Sequence, residues 1–170
     1  MSITLEQVKK SEEITSYIRK ADESLSALGF TEHSFAHVTH VAKTAGDLLT
    51  KLGYDAHTTE LARIAGYLHD IGNLVNRVDH SQSGAIMAFR LLDKMGMDAR
   101  DIAAVVSAIG NHDEGTGVPI NPIAAALILA KATCAAPACA IASLPPSTFT
   151  TASTSRSTTQ RWSWMRQRKR

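Results

Sequence analysis

Apolar residues recur every three to four positions almost everywhere up to residue 130, and no stretch alternates convincingly at period two. A chain with that period buries its apolar stripe by packing helix on helix, which points to an all-α bundle of about six helices. Thr4-Leu5-Glu6-Gln7 reads as a capping box opening a first helix, with Val8, Ile14, Tyr17, Ile18, Ala21 and Leu25 inward and Gly29 as its stop. The second helix is expected over about 31–52, with Val38, Val41, Ala42, Ala45, Leu48 and Leu49 inward and Gly53 ending it. The third covers about 58–70, burying Leu61, Ile64, Ala65 and Leu68, and the chain then turns at Ile71-Gly72. Asp79 caps a fourth helix through Met95, Asp98 caps a fifth through about Ile109, and Asn121-Pro122 starts a sixth.

After Thr133 the grammar changes. Residues 134–160 are mostly Ala, Ser, Thr and Pro, and no acidic residue follows Glu114. Such a composition cannot bury enough apolar surface to offset the entropy of ordering it, so a helical domain over 1–133 is expected to precede a disordered, low-complexity tail over 134–170. Charge divides at the same place, with −4 on residues 1–133 and +6 on the remainder. The basic balance therefore belongs to the tail, and no specific nucleic acid or membrane partner is expected from Trp162, Trp164 and the arginines around them. Cys134 and Cys139 lie past the body, so no disulfide framework is expected to hold it. The first residues do not read as a signal peptide, and Lys131 and Pro137 interrupt the nearest long apolar stretch, Pro122 to Ala142. The expected setting is cytoplasmic, with a homo-oligomer left open.

The residues able to do chemistry cluster in the body, where all seven histidines fall at or before His112. His69-Asp70 ends an apolar helix, and adjacent imidazole and carboxylate groups at a helix end can reach one divalent ion. Taken alone, the pair reads rather as a capping Asp beside a partly buried His. The second helix presents His33, His37 and His40, and the spacing of His33 and His37 puts those two on one face. His37 emerges beside the apolar stripe, His80 lies just inside the fourth helix, and His112-Asp113-Glu114 follows the fifth. These are places where a helical bundle builds a metal site, whereas His40 and His57 read as solvated surface histidines.

Together, Ser34-Phe35-Ala36-His37-Val38-Thr39-His40-Val41-Ala42, Ala65-Gly66-Tyr67-Leu68-His69-Asp70-Ile71-Gly72, Asp79-His80 and Gly110-Asn111-His112-Asp113-Glu114 resemble the HD superfamily of metal-dependent phosphohydrolases. The resemblance covers about residues 30–130. It implies a helical fold around one or two divalent ions, of Mn, Fe, Co, Ni, Zn or Mg, and hydrolysis of a nucleotide or related small phosphate ester. It places His37, His69 and Asp70 as ligands of a first metal, with Asp70 able to bridge two, and His80 and His112 as the histidines of a second. Asp70 and His112 would also serve the reaction, Asp70 by orienting a water, with Asp113 a further pocket residue.

Two departures stand out. Many members carry a lysine after His-Asp-Ile-Gly, where this chain has Asn73; Arg77 could supply that charge, or be a solvated surface arginine. The family also closes its site with an aspartate on a late helix, and here Ile128-Leu129-Ala130 leads to Lys131 instead. A catalytically impaired module, serving binding or regulation or arising from a damaged gene, is therefore the alternative to an active enzyme. The composition breaks at the same residue, which suggests a frameshifted tail from about Lys131. Back-translation of Lys131 to Ala142 with GC-rich codons, read one position out of frame, can yield Lys-Ser-Asp-Val-Arg-Arg-Ser-Arg-Val-Arg-Asn-Arg, a charged helical continuation. Reading the coding DNA tests this: the alternate frame is expected to be open and helix-like past that point, and a closed or apolar frame would refute it.

Overall fold

The structure, a computed structural model, describes residues 3–29, 35–113, 115 and 117–134. The expectations placed on His33, Glu114 and the tail beyond Cys134 lie outside those residues. Among the described residues the chain forms seven α-helices and one short 3-10 turn: α1 Leu5–Lys10, α2 Glu12–Ala27, α3 Phe35–Lys51, α4 Ala56–Leu68, the turn Ile71–Leu74, α5 His80–Lys94, α6 Ala99–Gly110 and α7 Pro122–Cys134. The architecture is the all-α bundle expected from the apolar period. No helix among these residues is long and apolar enough to cross a membrane.

The helix ends show how the sequence sets the boundaries. The capping box at Thr4 forms, with Gln7 Oε1 accepting from the Thr4 amide at 2.9 Å. The single first helix expected through residue 28 is instead two, because Ser11 leaves helical geometry (ψ 115°) and its hydroxyl accepts from the Ile14 amide at 3.4 Å. A serine followed by Glu12 and Glu13 is itself a helix start. Asp55 caps α4 through the Thr58 amide at 2.9 Å, so this helix begins earlier than residue 58 and releases the chain at Leu68. Asp98 and Asn121 cap α6 and α7 as expected, accepting from Arg100 at 2.9 Å and from Ala124 at 2.7 Å. Asp79 does not cap α5 through its side chain. It sits in the left-handed region at φ 56°, and its carbonyl receives the Gln82 and Ser83 amides.

Helix α4 is the centre of the bundle, packed against α3, α6 and α7. Its burial of Leu61, Ala62, Ile64, Ala65, Gly66, Tyr67 and Leu68 follows from neighbours on several sides. The backbone of α4 comes close to that of α3 at Gly66, where an added Cβ would lie 2.7 Å from Ala42 Cα and 2.8 Å from Ala42 N. The two backbones meet there because position 66 has no side chain, and that meeting holds His37 of α3 beside His69 at the end of α4. A second close approach presses the 3-10 turn onto α5, where a Cβ on Gly72 would collide with the His80 carbonyl and the Gly84 amide. Helix α7 seals the other side of α3 and α4, burying Ile123, Ala124, Leu127, Ala130 and, at its end, Lys131 and Cys134. Cys134 is thus part of the helical body and not beyond it.

Gly66→Val is expected to force α3 and α4 apart and to destabilise the fold by about 1–3 kcal/mol, as overpacked cores do. Gly115→Ala, whose Cβ would meet open space, should leave Tm nearly unchanged. Thermal melts of the two variants beside the parent chain check both.

Candidate metal centre

Five side chains from four separate parts of the chain converge at the end of α4. His69 is its C-cap residue, still in helical conformation, and Asp70 follows at φ −97° and ψ 3°. This change of backbone direction lets successive side chains reach the same point. His37 comes from the first turn of α3, His80 opens α5, and His112 follows α6. His69, Asp70, His80 and His112 are buried, and the His37 side chain is 11% exposed.

Asp70 is the hub. Its Oδ2 lies 3.2 Å from His69 Nε2 and 3.4 Å from His37 Nε2, while those two nitrogens are 3.3 Å apart. Its Oδ1 lies 3.3 Å from His80 Nε2 and 3.8 Å from His112 Nε2. Each carboxylate oxygen therefore faces two imidazoles, dividing the residues into two sets of three that share Asp70: His37, His69, Asp70, and Asp70, His80, His112.

The opposite ring nitrogens fix how these groups face the pocket. His69 Nδ1 lies 2.8 Å from the Gly66 carbonyl, His80 Nδ1 3.1 Å from that of Arg77, and His112 Nδ1 2.5 Å from that of Ile109. A carbonyl oxygen only accepts, so each Nδ1 is the donor, and each Nε2 is aimed inward. The same bonds satisfy carbonyls in the last turns of α4 and α6, where the helix offers no amide partner. Metal-binding histidines are commonly oriented by a bond of this kind from the nitrogen that does not ligate.

Burial pushes the His69 imidazole down to about 4, against the opposing pull of Asp70 and with His112 and His37 adding to the fall. At neutral pH it is uncharged, and its Nε2 lone pair faces the Asp70 carboxylate, acceptor against acceptor. The Nε2 of His112 is likewise buried, with no hydrogen-bond partner among the described residues. Lone pairs directed at a shared carboxylate are stabilised by a cation between them. The residues present therefore fit a divalent ion in either set, and nitrogen with carboxylate oxygen suits first-row transition metals as well as Mg.

Around this centre, Arg77 Nη1 lies 3.2 Å from His80 Nε2 and 3.3 Å from Asn73 Oδ1, and Asn73 Nδ2 donates to the Asp70 carbonyl at 2.9 Å. Arg77 is thus held at the pocket and is not a solvated surface arginine. Lys131 is buried and pairs with Asp113 at 3.4 Å. Burial raises the Asp113 carboxyl, but Lys131, His80 and His112 outweigh it and hold Asp113 below the usual carboxylate range. Cys134, whose Sγ lies 3.2 Å from His37 Nδ1, is a neighbour of the site that helical spacing did not announce. An apolar cavity lined by Ile18, Ala21, Leu25, Val38 and Ile71 opens beside Asp70. His40 is exposed, and His57, 47% exposed, pairs with Asp101 at 2.8 Å well outside the cluster.

The HD domain family matches residues 34–136, a span containing every residue of the cluster. The fold is similar to the crystal structure of a predicted HD superfamily hydrolase from an uncultured Thermotogales bacterium. The two are 28% identical with a TM-score of 0.58, the match covering 81% of this chain and 76% of that one. No curated protein matches the chain.

Ion binding to the folded chain alone raises its stability, by about 2.7 kcal/mol at a free concentration one hundred times the Kd. Titrating Mn or Zn into metal-depleted protein is expected to raise Tm accordingly, and Asp70→Asn should abolish most of the rise. An equal rise in Asp70→Asn would place the ion elsewhere.

Proposed function

The chain belongs to the HD domain family, and on that premise we propose that it is a metal-dependent phosphohydrolase acting on a nucleotide or a related small phosphate ester. The observation that carries the reading is the approach of four imidazole Nε2 atoms to the two oxygens of the buried Asp70 carboxylate. His37, His69 and Asp70 would hold one divalent ion, and Asp70, His80 and His112 a second. The similarity to the Thermotogales protein, a predicted hydrolase, supports the reaction class. The substrate class rests on the resemblance and on the arginine beside the pocket.

A bound divalent ion would polarise a phosphoryl oxygen and lower the pKa of a water at the site. The protein's own groups do the rest. Asp70 orients the attacking water through a carboxylate oxygen, the only strong acceptor shared by both donor sets. His112 Nε2, buried and without a hydrogen-bond partner among the described residues, is placed to accept a proton at that nitrogen or to serve as a ligand. Arg77 offers planar guanidinium donors matched to phosphate oxygens, supplying charge where relatives carry a lysine at position 73.

Lys131 favours a second reading, an impaired module that holds metal without turnover. Its ammonium occupies the position where the resemblance expects a closing carboxylate, and it engages Asp113. A positive charge there weakens a nearby cation site. The two readings separate in one assay: protein loaded with Mn or Co against a panel of nucleoside monophosphates, cyclic nucleotides and sugar phosphates, scored by released phosphate. Turnover lowered at least about 100-fold by His69→Ala or Asp70→Asn, and unaffected by His57→Ala, is the expected result, since the ion contributes several kcal/mol to the barrier. Bound metal with no turnover on any ester establishes the impaired module. In that case Lys131→Asp is expected to tighten metal binding, measured by calorimetry.

A further inference from the structure

Arg77 engages the second donor set in a way that simple phosphate binding does not require. His80 donates from Nδ1 to the Arg77 carbonyl at 3.1 Å, so its Nε2 accepts from the Arg77 guanidinium at 3.2 Å. The lone pair that would ligate an ion beside Asp70 and His112 is thereby already engaged by a cation. A divalent ion reaches His80 only when the guanidinium has moved off it.

The tether depends on Asn73. Asn73 Oδ1 accepts from the same Nη1 at 3.3 Å, while Asn73 Nδ2 is anchored on the Asp70 carbonyl. A lysine at position 73 has no acceptor and could not hold Arg77 in this place. The asparagine thus replaces a phosphate-binding cation by a hold on another one.

Charge points the same way. Two divalent ions would bring four positive charges into a pocket where Asp70 is the carboxylate shared by both donor sets and Asp113 already pairs with Lys131. The imidazoles contribute no negative charge. At the short distances and reduced dielectric of a buried pocket, such an excess opposes the second ion strongly unless an anion enters with it.

We propose that Arg77 is a phosphate-responsive latch on the second metal position: a phosphoryl dianion draws the guanidinium off His80 Nε2 and so admits a second divalent ion to Asp70, His80 and His112. The guanidinium fork exchanges one imidazole nitrogen for two phosphate oxygens, and charge-assisted bonds of that kind are the stronger ones. The dianion also supplies the missing negative charge. Anion and second ion are therefore coupled, and each raises the affinity of the other by the same factor. The inference rests on the metal-dependent phosphohydrolase reading and adds to it the order in which the pocket fills.

The test is a titration of metal-depleted full-length protein with Mn, following free Mn by electron paramagnetic resonance. One arm uses chloride buffer and the other inorganic phosphate at matched ionic strength. The parent chain is expected to take up one ion in chloride and a second with at least about tenfold higher affinity in phosphate, within the usual range of coupling between sites. Arg77→Met should take up the second ion in chloride more readily than the parent chain does, leaving phosphate only its smaller charge contribution, and His80→Ala should keep the first ion and take up no second. Two ions bound alike in both buffers by the parent chain overturn the latch, as does a phosphate dependence as large in Arg77→Met as in the parent chain. Should Arg77→Met fail to melt cooperatively, the two parent titrations still decide the matter. Uptake of no ion in either arm overturns the phosphohydrolase reading and the latch with it, whereas one ion in both arms overturns the latch alone.

Discussion

The Asp70 carboxylate is the interaction on which the rest of this structure depends. A buried carboxylate is costly unless charge or hydrogen bonds compensate it, and here the surrounding groups are four imidazoles drawn from α3, the end of α4, the start of α5 and the end of α6. Each imidazole is in turn placed by a structural necessity of its own. Gly66 lets α3 and α4 touch, which brings His37 to His69, and Gly72 lets the turn press on α5, which brings His80 to Asp70. The packing of the bundle and the assembly of the cluster are consequently one event: a side chain added at either glycine would disturb both.

The ends of helices do most of the positioning. His69 and His112 each direct Nδ1 to a carbonyl three residues earlier, in the last turn of the preceding helix. A histidine there caps the helix with one nitrogen and presents the other to the pocket. This dual use explains why the His-Asp pair sits at a terminus and not within α4. Inside a helix, adjacent side chains diverge by about 100°, whereas the altered backbone at Asp70 allows both to reach one ion.

Much of this was legible in the sequence, for reasons that differ by residue. The helical period exposed α3 to α7 because burial on one face repeats every turn, and Asp98 and Asn121 marked their helix starts through a local bond from side chain to amide. His37, His69, Asp70, His80 and His112 were recognisable as a set because few residue types can ligate a metal and their order along the chain is distinctive. The break at Ser11 was written locally too, in Ser11-Glu12-Glu13 and in the five polar residues between Val8 and Ile14, yet the apolar residues on either side were read as one stripe. What depended on distant contacts was hidden. The aspartate at position 79 carried the composition of a side-chain cap but adopts a left-handed conformation, and Cys134 appeared to lie beyond the body while packing on His37. The hold of Asn73 on Arg77 likewise pairs residues four apart across a turn whose shape only the packing on α5 defines.

Lys131 shows how one residue alters the meaning of an otherwise complete set. A carboxylate at that place would add negative charge to the wall of the pocket; the ammonium takes up Asp113 instead, so the pocket loses one potential anion and has a second neutralised. His69, His80 and His112 are unaffected by this exchange, because backbone carbonyls hold their Nδ1 atoms, whereas His37 Nδ1 faces Cys134 at the end of α7. Recognition of a metal and compensation of its charge are therefore carried by different parts of this fold. The first is built into the first turn of α3, the ends of α4 and α6 and the start of α5. The second falls largely to Asp70, and under the proposed function a phosphoryl ligand, bringing its own negative charge beside Arg77, would complete what the chain's carboxylates leave short.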